Sequence, residues 1–245
     1  MALRIGCDLD GVLADMEAAL VREAKKLFGP RLKERQARPG KGALASVSDP
    51  VPDVVSEEAP LLQELHLTAN ERRQLWHHIG GIDGFWESLE EIEQGTVARL
   101  ASLAAERGWE IIFLTKRPET AGATAQVQSQ RWLEAKGFRL PSVYVVTASR
   151  GLIAVALTLD IVVDDTPENC VDVAADSKAR TIAVFRNETA PPAAFRGMGI
   201  HLVQSTEEAI NLLVEIDSSV STVKKRPGPM ERVMQTLGLK QPSGM

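Results

Sequence analysis

The chain has 245 residues, of which 44% are hydrophobic and 25% charged, and its formal net charge is −5. This suits one sizeable domain, or one domain with a small insertion, with enough apolar material for a buried core. The acidic balance argues against a nucleic-acid polymer or an anionic membrane surface as partner, and no apolar run approaches the ~20 residues of a spanning helix.

Two cysteines, Cys7 and Cys170, are too few for a disulfide framework. A reducing, cytoplasmic setting is expected, with both thiols packed as small apolar groups. The N-terminus carries no signal-peptide pattern and enters at once into an apolar strand, Leu3 and Ile5, that ends in Asp8-Leu9-Asp10-Gly11. Two carboxylates this close repel each other, and exclusion of water sharpens the repulsion. A hard divalent cation such as Mg2+ offsets it, taking one or two carboxylates and leaving room for a substrate phosphate. The bland reading of an isolated Asp-x-Asp is a surface acidic turn. Its place directly after a buried strand favours the site.

A helical pattern runs from Asp15 to about Phe28, where Gly29-Pro30 is expected to end it. Residues 22–41 are rich in Arg and Lys and read as a solvated helix face. From Gln36 to about Pro60 the composition shifts to Pro, Gly, Ser and Ala, which predicts a long loop. Thr68–Ile79 reads as a helix, with Thr68 and Glu71 at capping-box spacing. His66, His77 and His78 lack partners at metal spacing. Gly80-Gly81 marks a turn before Phe85-Trp86, aromatics that either stack a substrate ring or fill a hinge.

Beyond residue 92, helices and strands alternate. Helices are predicted at Thr96–Glu106, Glu119–Lys136, Arg150–Leu157, Glu168–Asp176 and Thr206–Ile216. Strands are predicted at Trp109–Leu114, Val143–Thr147, Ile161–Val163, Thr181–Phe185 and Ile200–Val203. Such alternation implies a parallel sheet with right-handed crossovers and helices on both faces. Ligands then bind at the carboxyl ends of the strands. Asp8, Asp10, Thr115, Asp164 and Asp165 all fall there. After Asp217 the chain turns Ser/Thr-rich and then basic and Pro/Gly-rich, a tail in which Pro229–Leu237 has helical character.

These residue types suit metal-assisted phosphoryl transfer, which needs a nucleophile, a proton donor, a cation and donors for the phosphate oxygens. Asp8 is the candidate nucleophile and Asp10 the acid/base. Gly11 opens backbone N–H groups toward a phosphate, and Thr115 offers a hydroxyl. Asp164 or Asp165 can complete the metal shell.

Three motifs in order resemble the haloacid dehalogenase (HAD) superfamily: Asp8-Leu9-Asp10-Gly11-Val12, Phe113-Leu114-Thr115 and Val163-Asp164-Asp165. The resemblance implies an aspartyl-phosphate on Asp8, acid/base work by Asp10, phosphate binding by Thr115 and Mg2+ held by Asp8, Asp10, Asp165 and Asp164. It also implies a Rossmann-like core at 1–16 and 85–217, a helical cap at 17–84 and a tail at 218–245. The third motif's lysine is replaced by Arg150, a wide planar fork rather than a point charge, with Lys116 as a nearby ammonium. Phe85-Trp86-Glu87 resembles the cytosolic 5′(3′)-deoxyribonucleotidase branch, which places aromatics around the base. The implied substrate is a small phosphorylated metabolite, a nucleotide first, bound by Gly11, Thr115, Lys116, Arg150, Phe85 and Trp86. A sugar-phosphate or other metabolite phosphatase remains open, as does a HAD-like binding or regulatory module with weak turnover.

Overall fold

A computed structural model describes residues 2–36, 65–186 and 192–224. At its centre is β1 (Arg4–Asp8), flanked by β2 (Glu110–Thr115) and β4 (Ile161–Asp164). With β3 (Ser142–Val145), β5 (Arg180–Val184) and β6 (His201–Val203) these form a six-stranded parallel sheet of order β3-β2-β1-β4-β5-β6. The chain reverses its direction of travel across the sheet at β1, so a crevice opens between the carboxyl ends of β1 and its neighbours.

Side chains alternate across the strands as the pleat demands. Ile5, Cys7, Ile111, Phe113, Val163 and Ile182 pack on one face against α3 (Thr96–Arg107), α4 (Ala125–Ala135) and α7 (Thr206–Lys224). Ile112, Leu114 and Val162 pack on the other against α5 (Arg150–Ala156) and α6 (Pro167–Asp176). The Rossmann-like α/β sheet with helices on both faces is therefore as expected.

Between β1 and α3 lie α1 (Met16–Gln36) and α2 (Ala69–Gly80), the latter closed by the Thr68/Glu71 capping box. Their apolar residues Leu20, Ala24, Phe28, Leu75 and Ile79 are continuous with the core. Glu23 of α1 and His78 of α2 lie 3.2 Å apart.

Three boundaries differ from the sequence expectation. Helix α1 continues through Gly29-Pro30. Pro30 forgoes one backbone hydrogen bond, and residues on both sides stay helical. The helix expected from Glu119 begins at Ala125, because Gln128 draws the preceding segment into a loop: its carboxamide nitrogen donates to Thr120 Oγ1 at 2.9 Å and Ala123 O at 2.6 Å. Gly122, at φ +88°, completes that loop under the Asp83 carboxylate. Helix α7 runs to Lys224, past the expected tail boundary at 218. The loop expected at 36–60 and the helical stretch Pro229–Leu237 lie outside the described residues, apart from Gln36. Among the described residues no helix is long and apolar enough to cross a membrane.

Candidate active site

Register brings the three motifs together. Asp8 pairs with Leu114 and Cys7 with Val163, so the carboxyl ends of β2, β1 and β4 lie side by side. The turn after β1 closes through Gly11 N–H to Ala14 O at 3.1 Å. Gly11 has φ +84°, and a Cβ built there would lie 1.8 Å from Asp165 Oδ2. The Asp165 carboxylate therefore rests directly on the glycine, and only a residue without a side chain permits both the turn and the contact.

Arg150, 1% exposed, joins two of the acids. Its Nη2 donates to Asp8 Oδ1 and its Nε to Asp164 Oδ2 at 3.3 Å. Asn169 supports Asp164 from the far side, donating to both carboxylate oxygens at 3.0 and 3.2 Å. Lys116 Nζ lies 3.4 Å from the Asn169 carbonyl oxygen, which brings its ammonium to the same cluster. The Arg150 Nη1 and Ser149 Oγ are buried with no hydrogen-bond partner among the described residues.

Asp10 is held differently. Thr115 Oγ1 donates to its Oδ2 at 3.0 Å. Arg117 donates from Nε at 2.9 Å to Oδ2 and from Nη2 at 2.8 Å to Oδ1. The Arg117 side chain is fully buried.

Charge is unbalanced here. Asp8, Asp10, Asp164 and Asp165 face two hydrogen-bonded guanidinium groups, Arg150 and Arg117. Burial and the adjacent Asp164 push the Asp8 carboxyl up, against the pull of Arg150. Burial and Asp164 likewise push Asp165 up to about 8. Among the described residues no arginine or lysine hydrogen-bonds Asp165. Thr166 Oγ1 lies 3.5 Å from its Oδ1, and the Asp165 backbone N–H also favours the charged form. Burial alone would weaken the Arg150 charge, but Asp8 and Asp164 outweigh it and hold its pKa above the ordinary arginine value.

Two expectations are corrected. Phe85 and Trp86 offer no face to a substrate, being 1% and 0% exposed. They pack edge to face at 4.9 Å, and Trp86 Nε1 donates to Pro118 O at 3.0 Å, so they are interior packing residues. Nor do Asp8, Asp10 and Asp165 form a closed cage: among the described residues no three His, Cys, Asp or Glu side chains are grouped to hold a metal ion. Asp10 has both oxygens engaged by Arg117 and Thr115. The uncompensated charge at Asp8, Asp164 and Asp165 still suits Mg2+, which needs only one or two carboxylates when waters and a phosphate supply the rest.

Arg117, Asn169 and Arg186 escaped the sequence reading. The Arg186 guanidinium donates to Gly11 O, Glu93 Oε1 at 3.0 Å and Thr206 Oγ1 at 2.7 Å, bracing the turn that carries Asp10 and Gly11. Glu93 in turn accepts from the backbone N–H groups of Thr206 and Glu207 at 2.8 and 2.9 Å, which stabilises the first turn of α7. Burial opposes the Glu93 charge, yet these donors hold its carboxyl below the usual range. The Thr-Lys-Arg-Pro run directly after a buried strand was the one available signal for Arg117.

No protein-family model and no curated protein matches the chain. Solved structures do. A HAD family hydrolase from Deinococcus radiodurans R1, with bound phosphate and sodium, superposes with TM-score 0.53 at 15% identity, covering 87% of this chain and 96% of its own. A predicted phosphatase from Clostridium acetobutylicum gives 0.51 at 12%, covering 88% and 99%. A haloacid dehalogenase-like family hydrolase from Xanthomonas campestris gives 0.50 at 14%, covering 90% and 98%. On sheet order, motif placement and these superpositions, the chain has the HAD-like fold.

Proposed function

We propose that the protein is a Mg2+-dependent HAD-type phosphatase that hydrolyses a small phosphomonoester through an aspartyl-phosphate. One observation carries the reading. Asp8, Asp10, Thr115, Arg150 and Asp165 meet at the carboxyl ends of three adjacent strands, and a buried Arg150 N–H remains open beside the nucleophile. Buried donors are nearly always paired, so an open one suits an incoming phosphate oxygen.

Asp8 Oδ attacks phosphorus. The bond to the leaving oxygen breaks with its electron pair, and that oxygen is protonated by Asp10, which first takes up a proton from solvent on a lone pair that Arg117 and Thr115 leave free. Water then attacks the phosphoryl group, Asp10 accepts its proton, and the Asp8–phosphate bond breaks to release inorganic phosphate. Lys116, half-buried, and the open Nη1 of Arg150 are the donors for the equatorial oxygens, and the Thr115 hydroxyl joins them on turning away from Asp10; Arg150 and Thr115 are buried, so substrate entry has to uncover them. Mg2+ would be held by one or two of the carboxylates of Asp8, Asp164 and Asp165, and it would supply charge neutralisation there. The phosphate found in the Deinococcus radiodurans structure supports an anion site in this fold. With Phe85 and Trp86 buried, the nucleotidase reading loses its aromatic support, and nucleotide and sugar phosphate stand level as substrates.

The test is a screen of nucleotide and sugar monophosphates with Mg2+, repeated in excess chelator and with Asp8→Asn. Turnover abolished by chelator and by Asp8→Asn is expected. Undiminished turnover in either case refutes the mechanism.

A further inference from the structure

We infer that Arg117 is a positioning residue for Asp10, seated by the two tryptophans of the cap hinge. This rests on the phosphatase reading.

The geometry is specific. Asp10 receives hydrogen bonds from the Nε and Nη2 of Arg117 on both of its oxygens, the parallel fork that fixes a carboxylate in plane. The third nitrogen, Nη1, donates to Ser129 Oγ at 2.9 Å, and Ser129 is itself anchored to Ala125 O at 2.7 Å. The guanidinium carbon lies 5.0 Å from the Trp86 ring centroid and 5.9 Å from that of Trp132. Both indoles are themselves fixed: Trp86 Nε1 donates to Pro118 O at 3.0 Å, and Trp132 Nε1 to Leu89 O at 2.7 Å. Trp86 N–H also donates to the buried Gln128 at 3.1 Å. Every nitrogen of Arg117 is thus satisfied by protein. Each of its three nitrogens already has a protein acceptor, whereas Arg150 Nη1 has none among the described residues.

Arg117 therefore acts through Asp10 and not on the substrate. The segments that carry Trp86 and Leu89 are where the helical insertion rejoins the core, just ahead of α3. The seating of the insertion and the aim of the acid/base carboxylate share one set of contacts. Trp86, one of the two aromatics that looked like a substrate platform, walls the guanidinium together with Trp132.

The test uses leaving-group dependence, with the full chain and Mg2+. The parameter kcat/KM reports steps up to phosphoryl transfer onto Asp8. An alkyl phosphate needs a proton delivered to its leaving oxygen in that step, whereas 4-nitrophenyl phosphate expels a stable phenolate without one. In Arg117→Met, kcat/KM for the alkyl ester should fall by roughly 10²–10⁴, the range of general acid catalysis, while that for the aryl ester changes little. Steady-state kcat should fall for both, since Asp10 also activates the second-step water, and the aryl ester should show a burst of phenolate. Arg117→Lys, which keeps the charge but not the fork, should show the same selective loss at smaller size, and serves if Arg117→Met does not fold. Equal losses in kcat/KM for both esters, or a wild-type ratio in Arg117→Lys, would overturn the inference and leave the phosphatase reading intact. The alkyl ester is one the wild-type protein turns over in the nucleotide and sugar monophosphate screen; if it hydrolyses none of them, the phosphatase reading fails and the inference falls with it.

Discussion

Gly11→Ala separates backbone strain from displacement of a site residue. At φ +84° an alanine is strained by about 1–2 kcal/mol. The new Cβ also meets Asp165 Oδ2 at 1.8 Å and Cγ at 2.5 Å, too close for either to stay. The carboxylate must swing away or the turn must open, and overpacking of this kind adds about 1–3 kcal/mol. Gly95 is the control. Its φ is +86°, and a Cβ there meets nothing within 4 Å. Gly95→Ala should therefore cost only the strain, about 1–2 kcal/mol, or a Tm drop of roughly 2–8 °C at 2–4 °C per kcal/mol, with turnover unchanged. Gly11→Ala should cost about 2–5 kcal/mol, a Tm drop of roughly 4–20 °C, together with weaker Mg2+ binding and a large loss of kcat/KM. Thermal unfolding, Mg2+ titration calorimetry and phosphatase kinetics on both variants make the comparison. If the two variants match in all three measurements, Asp165 does not rest on this turn and its place in the metal shell is wrong.

Arg150→Ala leaves Asp8 and Asp164 facing each other without their shared cation, and unfolding should show a loss of about 3–5 kcal/mol besides the loss of turnover. Arg150→Lys should recover part of both. Stability should also depend on pH in the metal-free protein. The Asp165 carboxyl is raised in the folded state from 3.8 to about 8, so the folded chain keeps a proton that the unfolded chain releases. Its contribution is full below the lower value and is lost as pH rises through the upper one. Tm should fall across that window and flatten when Mg2+ is added; a Tm that rises through the window without metal contradicts the charge balance drawn for the site. Trp86→Ala should cost about 3–5 kcal/mol as a core truncation and lower kcat/KM equally for nucleotide and sugar phosphate. A loss confined to nucleotides, measured on both substrates, restores the stacking role.

The alternation of strands and helices, the parallel sheet and the meeting of three motifs at its carboxyl edge were legible in the sequence, because each rests on local information. Apolar runs such as Ile161–Asp164 are short and bounded, Thr68 and Glu71 hold a capping box within one turn, and acids that end adjacent parallel strands have to converge. What packing decided was partnership. Arg117 finds Asp10 at a separation of 107 residues, and nothing near either residue announces the other. Phe85 and Trp86 have the composition of a binding platform, and only the folded core makes them interior, with Trp86 held by Gln128, Pro118 and Arg117. The segment ahead of Ala125 carries helical residues, yet the buried Gln128 carboxamide takes its backbone carbonyls and holds a loop. Periodicity is written in neighbouring residues. Burial and ion pairing are set by which distant groups share a volume from which water is excluded, and that is a property of the folded chain.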